Sequence, residues 1–211
     1  MRQHAVTTAP SRKRTPGRPR GFDTDAVLDR ALELFWKRGF YTTTTRDLEA
    51  SLGLSQSSLY HEFGSKQALL EAALDRYEVI TSDALLTPLE HSPAGLRGIE
   101  HFFTDLAHWV THDGRRGCML INMMAEDGTA TGSIKRRTRN YRQRVKLALR
   151  DTLQRAVDSG EAQTGNVDER ANLLLALVLG FNIAARGGAS AHELKALLGA
   201  VSVQVNSWHS A

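Results

Sequence analysis

The chain has 211 residues, 41% of them hydrophobic, with a single cysteine and a formal charge of +4. That length suits one ordinary domain or a small domain joined to a larger one. One cysteine excludes an intrachain disulfide framework and any multi-cysteine metal site, and no run of 18 apolar residues offers a membrane span.

The charge is unevenly placed. Residues 1–21 hold six basic residues and no acidic one, so residues 22–211 sum to −2. A positive arm on a nearly neutral body predicts contact with a polyanion at one end. No apolar signal-peptide core follows the arm, and the default compartment is the cytoplasm.

Residues 1–21 mix Pro, Gly, Ser and Thr with Arg and Lys and show no apolar period, the composition of a disordered arm. The prolines keep the strip extended, and Arg14, Arg18 and Arg20 suit a narrow, negative minor groove. The simpler alternative is a basic tail that raises non-specific affinity by counterion release. A membrane role lacks an apolar anchor.

Order begins near Asp23. Val27, Leu28, Ala31, Leu32, Leu34 and Phe35 recur at helical spacing and Gly39 stops the run, predicting a helix over about 24–38. A short helix follows over about 45–51, with Thr44 and Asp47 placed as a capping box and Gly53 closing it. Ser55 caps a second short helix running to about His61, anchored by Leu59. Ser65 caps the next, with Leu69, Leu70, Ala73, Leu74 and Tyr77 on one face. The short helices bury little alone, so their longer neighbours must complete the core.

Residues 44–63 therefore form a helix, a glycine turn and a second helix, the sequence shape of a helix-turn-helix. The second helix exposes Gln56, Ser57, Ser58, Tyr60 and His61, almost without charge. Gln pairs with adenine edges and Ser donates to bases or phosphates, which suits Gln56, Ser57, Ser58 and His61 to base reading in the major groove. Tyr60, Thr44, Thr45 and Lys66 are placed to hold phosphates near helix starts. The plainer alternative is a Ser/Thr-rich stretch that merely caps helices.

The stretch FDTDAVLDRALELFWKRGFYTTTTRDLEASLGLSQSSLYHEFGSKQALLEAAL resembles the N-terminal domain of the TetR family of bacterial transcriptional regulators. The features that carry it are Ala31, Leu34 and Phe35, Gly39–Phe40, Thr43–Thr44, Leu48, Leu52–Gly53–Leu54–Ser55, Leu59–Tyr60–His61, Phe63, Ser65–Lys66 and Leu69–Leu70. They span about residues 22–75. The resemblance implies a recognition helix over 55–61, with Tyr60 and Lys66 on phosphates and Gln56, Ser57, Ser58 and His61 at base edges. It also implies a homodimer, most often a repressor, released from DNA by a small molecule held in the C-terminal domain. The arm, with Gly17–Arg18–Pro19 between Arg14 and Arg20, resembles an AT-hook core.

The remaining chain reads as helical over about 66–86, 93–112, 118–126, 130–159, 167–186 and 190–208, with Ser190 and Glu193 forming a second capping box. In the 93–112 segment, His101, Asp105, His108 and His112 form a stripe that is either a solvated face or a metal site. Phe102, Phe103, Trp109, Cys118, Met119, Asn122, Met123 and Tyr141 can line a largely apolar effector pocket or simply fill the core. Cys118 lies near Arg115 and Arg116, which favour its thiolate, whereas burial opposes it.

The 130–159 segment is strongly basic. It suits a core helix with a solvated outer face better than a DNA contact. Leu173 to Val178 is apolar nearly all round, predicting cover from a twin subunit. Leu173, Leu174, Leu177, Phe181, Leu194, Leu197, Leu198, Val201 and Val205 are the candidate dimer interface. No catalytic or phosphate-loop motif is present, and neither enzyme activity nor a cofactor or metal is expected.

The expected architecture is all-α: a basic arm over 1–21, a helix-turn-helix domain over 22–70, and a helical effector-binding and dimerisation domain over 71–211. The expected partners are a pseudo-palindromic duplex operator, a second copy of the chain and a largely apolar small molecule. The alternative of a different kind is a helical architectural DNA-binding protein that needs no effector.

Overall fold

The computed structural model describes residues 22–111, 117–125 and 132–210. α1 (Thr24–Arg38) starts at Asp23, whose carboxylate accepts the N–H groups of Asp25 and Ala26, and it buries Val27, Ala31, Leu32 and Phe35. α2 (Thr45–Leu52) carries the expected capping box between Thr44 and Asp47. It ends at Gly53, whose φ of 68° is a conformation that a side chain resists. α3 (Gln56–Phe63) begins at Ser55, which accepts the Ser58 N–H. Leu48, Leu52 and Leu59 sink into the core shared with α1 and α4 (Lys66–Thr81). Arg76 of α4 reaches back to Asp29 and Asp25 of α1 and ties the two long helices together.

The sequence predicts that this long helix ends at 86, before Pro88. Instead it passes through a π-turn over Ser82–Leu86 into α5 (Thr87–His91). Thr87 N–H bonds back to Ser82 O, five residues earlier, and Pro88 falls in the following first turn, where its missing N–H costs nothing. Pro93 does punctuate: α6 begins only at Leu96 and runs to Thr111 (Leu96–Thr111). The Leu96 N–H is accepted by the Glu161 carboxylate from across the fold.

α7 (Met119–Ala125), α8 (Gly132–Asp158), α9 (Val167–Arg186) and α10 (Ala191–Asn206) complete the body. α8 lies along α9, and α6 packs on α10. Ser190 and Glu193 form the second expected capping box. The fold is all-α, with a small N-terminal group of helices followed by a larger helical body; the sole β feature among the described residues is a bridge between Ala162 and His209.

α9 and α10 divide their apolar residues between two faces. Leu174, Phe181, Leu194, Val201 and Val205, expected at a dimer interface, are buried inside this chain's own core, and Leu177 and Leu198 are half-buried. Leu173 (41%), Ile183 (49%), Leu197 (38%) and Val203 (73%) remain exposed. Ala176, Gly180, Gly199 and Ala200 are exposed beside them, leaving an apolar, small-residue surface.

Candidate nucleic-acid interface

The α2–turn–α3 unit presents the residues expected to meet DNA. Gln56, Ser57, Ser58 and His61 are exposed on α3, while Leu59 is its one buried residue. The serine hydroxyls already bond to one another, Ser55 Oγ lying 2.9 Å from Ser57 Oγ and 3.0 Å from Ser58 Oγ. Those bonds hold the first turn of α3 in place and leave each hydroxyl with further hydrogen-bonding capacity.

The phosphate candidates do not share one role. Tyr60 Oη lies 3.1 Å from Thr45 Oγ1, joining α3 to the start of α2 and placing two hydroxyls side by side. Thr44 is committed elsewhere: its Oγ1 donates to Asp47 Oδ2 at 2.7 Å and accepts the Asp47 N–H at 3.2 Å. Lys66 Nζ sits 4.3 Å over the Phe40 ring, and partial burial lowers its pKa while nearby Asp47 opposes the change.

Sequence reasoning missed Glu49 and the second role of Asp47 in positioning this unit. Glu49 Oε1 accepts the Gln56 N–H at 2.6 Å, so α2 holds the N-terminus of α3 directly. Asp47 also pairs with Arg38 of α1. The Thr44 hydroxyl, then the Thr44 N–H, and last Arg38 draw the Asp47 carboxyl from 3.8 to about 2.

A folded-state pKa below the ordinary value contributes stability that is present above 3.8 and lost as the pH falls through about 2. Asp47→Asn is therefore expected to be less stable than the parent at neutral pH, with the difference closing across that window. Denaturation followed by circular dichroism at stepped pH checks this; a difference independent of pH would show that the charge is not what matters.

A second group of contacts joins the N-terminal helices to the body. Trp36 of α1 packs edge-on against Tyr77 at 5.1 Å and stacks with Trp109 of α6 at 6.5 Å. Its backbone carbonyl accepts Arg186 Nη1, from the end of α9, at 2.9 Å. Tyr77 Oη accepts the Met119 N–H at 3.0 Å, and Asn182 Oδ1 accepts the Cys118 N–H at 2.6 Å. Gly117 fits here because its φ is 67° and a Cβ would lie 2.8 Å from the Asn182 carbonyl oxygen.

The proposed effector-lining residues lie in this region. Phe102, Phe103, Cys118, Met119, Asn122 and Met123 are buried, and Trp109 and Tyr141 are partly covered. Tyr141 also borders a groove of about 430 Å³ between α4 and α8, and Phe102 one of about 470 Å³ between α5 and α6. Burial pushes the Cys118 thiol up, and the Tyr77 and Tyr141 hydroxyls well up. The thiol is thus held protonated, contrary to what a reactive cysteine requires. His101, Asp105 and His108 are exposed, His112 lies outside the described residues, and no group of three or more metal-ligating side chains occurs among the described ones. Arg14, Arg18 and Arg20 also lie outside the described residues.

Residues 27–73 match the model of bacterial regulatory proteins of the tetR family, and residues 95–200 match a tetracyclin repressor-like C-terminal domain. The chain is 31% identical over 192 residues to the HTH-type transcriptional repressor ComR of Escherichia coli K12, spanning 89% of this chain and 90% of ComR. The chain belongs to the TetR family. It is a sequence-specific DNA-binding regulator of that family. Among TetR-family structures, a cysteine-substituted CifR complexed with 26-bp double-strand operator DNA matches with a TM-score of 0.79 at 25% identity, over 91% of this chain and 100% of the other. A TetR regulator from Chloroflexus aurantiacus shares the fold, with a TM-score of 0.78 at 21% identity over 88% and 94% of the two chains. Among the described residues, no helix is long and apolar enough to cross a membrane.

Proposed function

We propose that this TetR-family chain is a homodimeric repressor that occupies a pseudo-palindromic operator and leaves it when a small, largely apolar molecule binds the C-terminal body. The observation that carries this reading is a capped, nearly uncharged α3 in the same chain as an unpartnered apolar face on α9 and α10. A two-fold interface uses the same patch on both copies, so Leu173, Ile183, Leu197 and Val203 would meet their twins, with Gly180 and Gly199 allowing close approach. Two copies of α3 would then enter successive major grooves. Gln56, Ser57, Ser58 and His61 would read bases there, while Thr45, Tyr60 and Lys66 hold phosphates. Thr44 would act chiefly as the cap of α2.

The division of labour follows the proposed boundaries: residues 1–21 as an arm, 22–70 reading DNA, 71–211 binding effector and partner. Arg14, Arg18 and Arg20 would lie in the minor groove beside the half-sites. ComR is named a repressor and CifR was solved on its operator, which supports this direction of control. The chain would act by binding alone, without catalysis, in the cytoplasm where its DNA lies.

Effector binding would act through the layer around Tyr77. Trp109 Nε1 is buried with no hydrogen-bond partner among the described residues, a donor that an effector's acceptor would satisfy. Movement of α7 or α6 there passes to Trp36 in α1, and a ligand favouring a different spacing of the two α3 helices lowers operator affinity.

Unbiased selection of duplexes by the full chain, followed by footprinting, tests the proposal. The expected site has two related half-sites about one helical turn apart, near 34 Å, bound by two chains, with minor-groove protection outside them. A single unrepeated site bound by one chain would refute it. A small-molecule screen for release from that site tests the effector.

A further inference from the structure

The part of the chain that carries α3 is acidic. Residues 22–75 contain five basic and nine acidic residues, a net −4, which opposes the approach of a duplex. The compensating charge in the folded body is concentrated in α8. Residues 132–150 hold eight basic residues, Lys135, Arg136, Arg137, Arg139, Arg142, Arg144, Lys146 and Arg150, and no acidic one.

At least three of these are engaged by carboxylates among the described residues. Arg137 pairs with Asp75 and Glu78, Arg144 with Glu90, and Arg150 with Asp151 and Asp168. Arg136, Arg139 and Arg142 are exposed and form no ion pair among the described residues, although the Glu71 pKa, lowered chiefly by the Ser133 hydroxyl, is lowered also by the Arg136 charge. Solvation alone does not account for the one-sided composition. An outer face needs polar residues, but of either sign.

The position of this face is fixed by contacts with α4 and its continuation through the π-turn into α5. Ser133 Oγ donates to Glu71 at 2.6 Å and accepts from Gln67 at 3.3 Å. Arg137 then meets Asp75 and Glu78, and Arg144 meets Ser82 and Glu90. The rising residue numbers on both sides show that α8 runs alongside α4 in the same direction. It starts level with Gln67, the neighbour of Lys66 at the DNA-facing end. At 1.5 Å per residue, the basic face then extends about 25 Å away from that end.

We propose that Arg136, Arg139 and Arg142 hold the phosphates of duplex DNA flanking the operator, outside the half-sites that α3 reads. This rests on the DNA-binding function argued above. An acidic protein segment would satisfy the same charges. A duplex is favoured because the face begins level with Gln67, beside the end where the operator would bind, and because the acidic residues of 22–75 leave that end in need of an attractive surface nearby. Such contacts are indifferent to sequence and strongly dependent on salt.

The test uses the full chain carrying Arg136→Gln, Arg139→Gln and Arg142→Gln together, which removes three exposed charges without touching the core or the ion pairs to α4. Its probes are the duplex recovered by operator selection and the same duplex extended by about 10 bp on each side. On the extended duplex at low salt, the variant should bind roughly tenfold or more weakly than the parent, with a salt slope shallower by about 1 for each phosphate no longer neutralised. On the short duplex the two proteins should bind alike. Equal binding of parent and variant on the extended duplex, or an equal loss on both duplexes, overturns the inference. A parent chain that fails to prefer the selected duplex over a scrambled one overturns the proposed function itself, and this inference with it.

Discussion

Leu59→Ala is expected to abolish specific operator binding while most of the helical body stays folded. Leu59 is the one buried residue of α3, and its side chain is fully enclosed. Truncating a buried leucine costs about 2–5 kcal/mol, part of it from the cavity left behind. An eight-residue helix has no stability of its own to set against that loss. The Ser55 cap and the Glu49 bond to the Gln56 N–H hold its start only, and neither replaces the anchor at its middle. Circular dichroism should show modest loss of helix and a lowered melting temperature, while titration with the selected duplex should show no saturable specific binding. A variant that binds with the parent's affinity would mean that α3 is held by something other than this side chain.

The second large effect is expected from Ile183→Glu with Val203→Glu. Both side chains are exposed and stand clear of the protomer's core, so the charges should leave the single-chain fold intact. In a two-fold interface each substitution occurs twice, placing four like charges in one apolar contact. The parent should sediment as a dimer at concentrations where the variant is a monomer. Operator affinity should fall by about 10²–10⁴, because two α3 helices no longer bind as one linked unit. A variant that remains dimeric would move the interface elsewhere.

Much of the helix-turn-helix unit was legible in the sequence because its signals are local. The Thr44–Asp47 box, the Gly53 turn and the Ser55 and Ser65 caps are set by neighbouring residues, and each helix starts where its cap predicts. What joins those helices is not local. Glu49 reaching Gln56, Arg38 reaching Asp47, and Arg186 reaching Trp36 across 150 residues follow only from the fold.

The α9 and α10 pair shows a different limit. Their periodicity reveals apolar residues on two faces but not which face meets the protein's own core. Leu174 and Phe181 therefore carry the same sequence signal as Leu173, and only packing separates them. Pro88 misleads for a related reason. A proline ends a helix unless a π-turn places it in a new first turn. In α8 the basic composition was plain in the sequence. Which arginines are engaged by carboxylates of α4, α5, α8 and α9, and which are left facing outward, needed the ion pairs.

If α3 selects the DNA sequence while neighbouring groups only hold the backbone, substitutions in the two sets must behave differently. The most direct test titrates Gln56→Ala and Tyr60→Phe against the selected duplex and a scrambled one of equal length, at the same salt. Gln56→Ala should lose about 1–3 kcal/mol on the selected duplex and little on the scrambled one, whereas Tyr60→Phe should lose similarly on both. Equal losses for Gln56→Ala on the two duplexes would contradict base reading by α3.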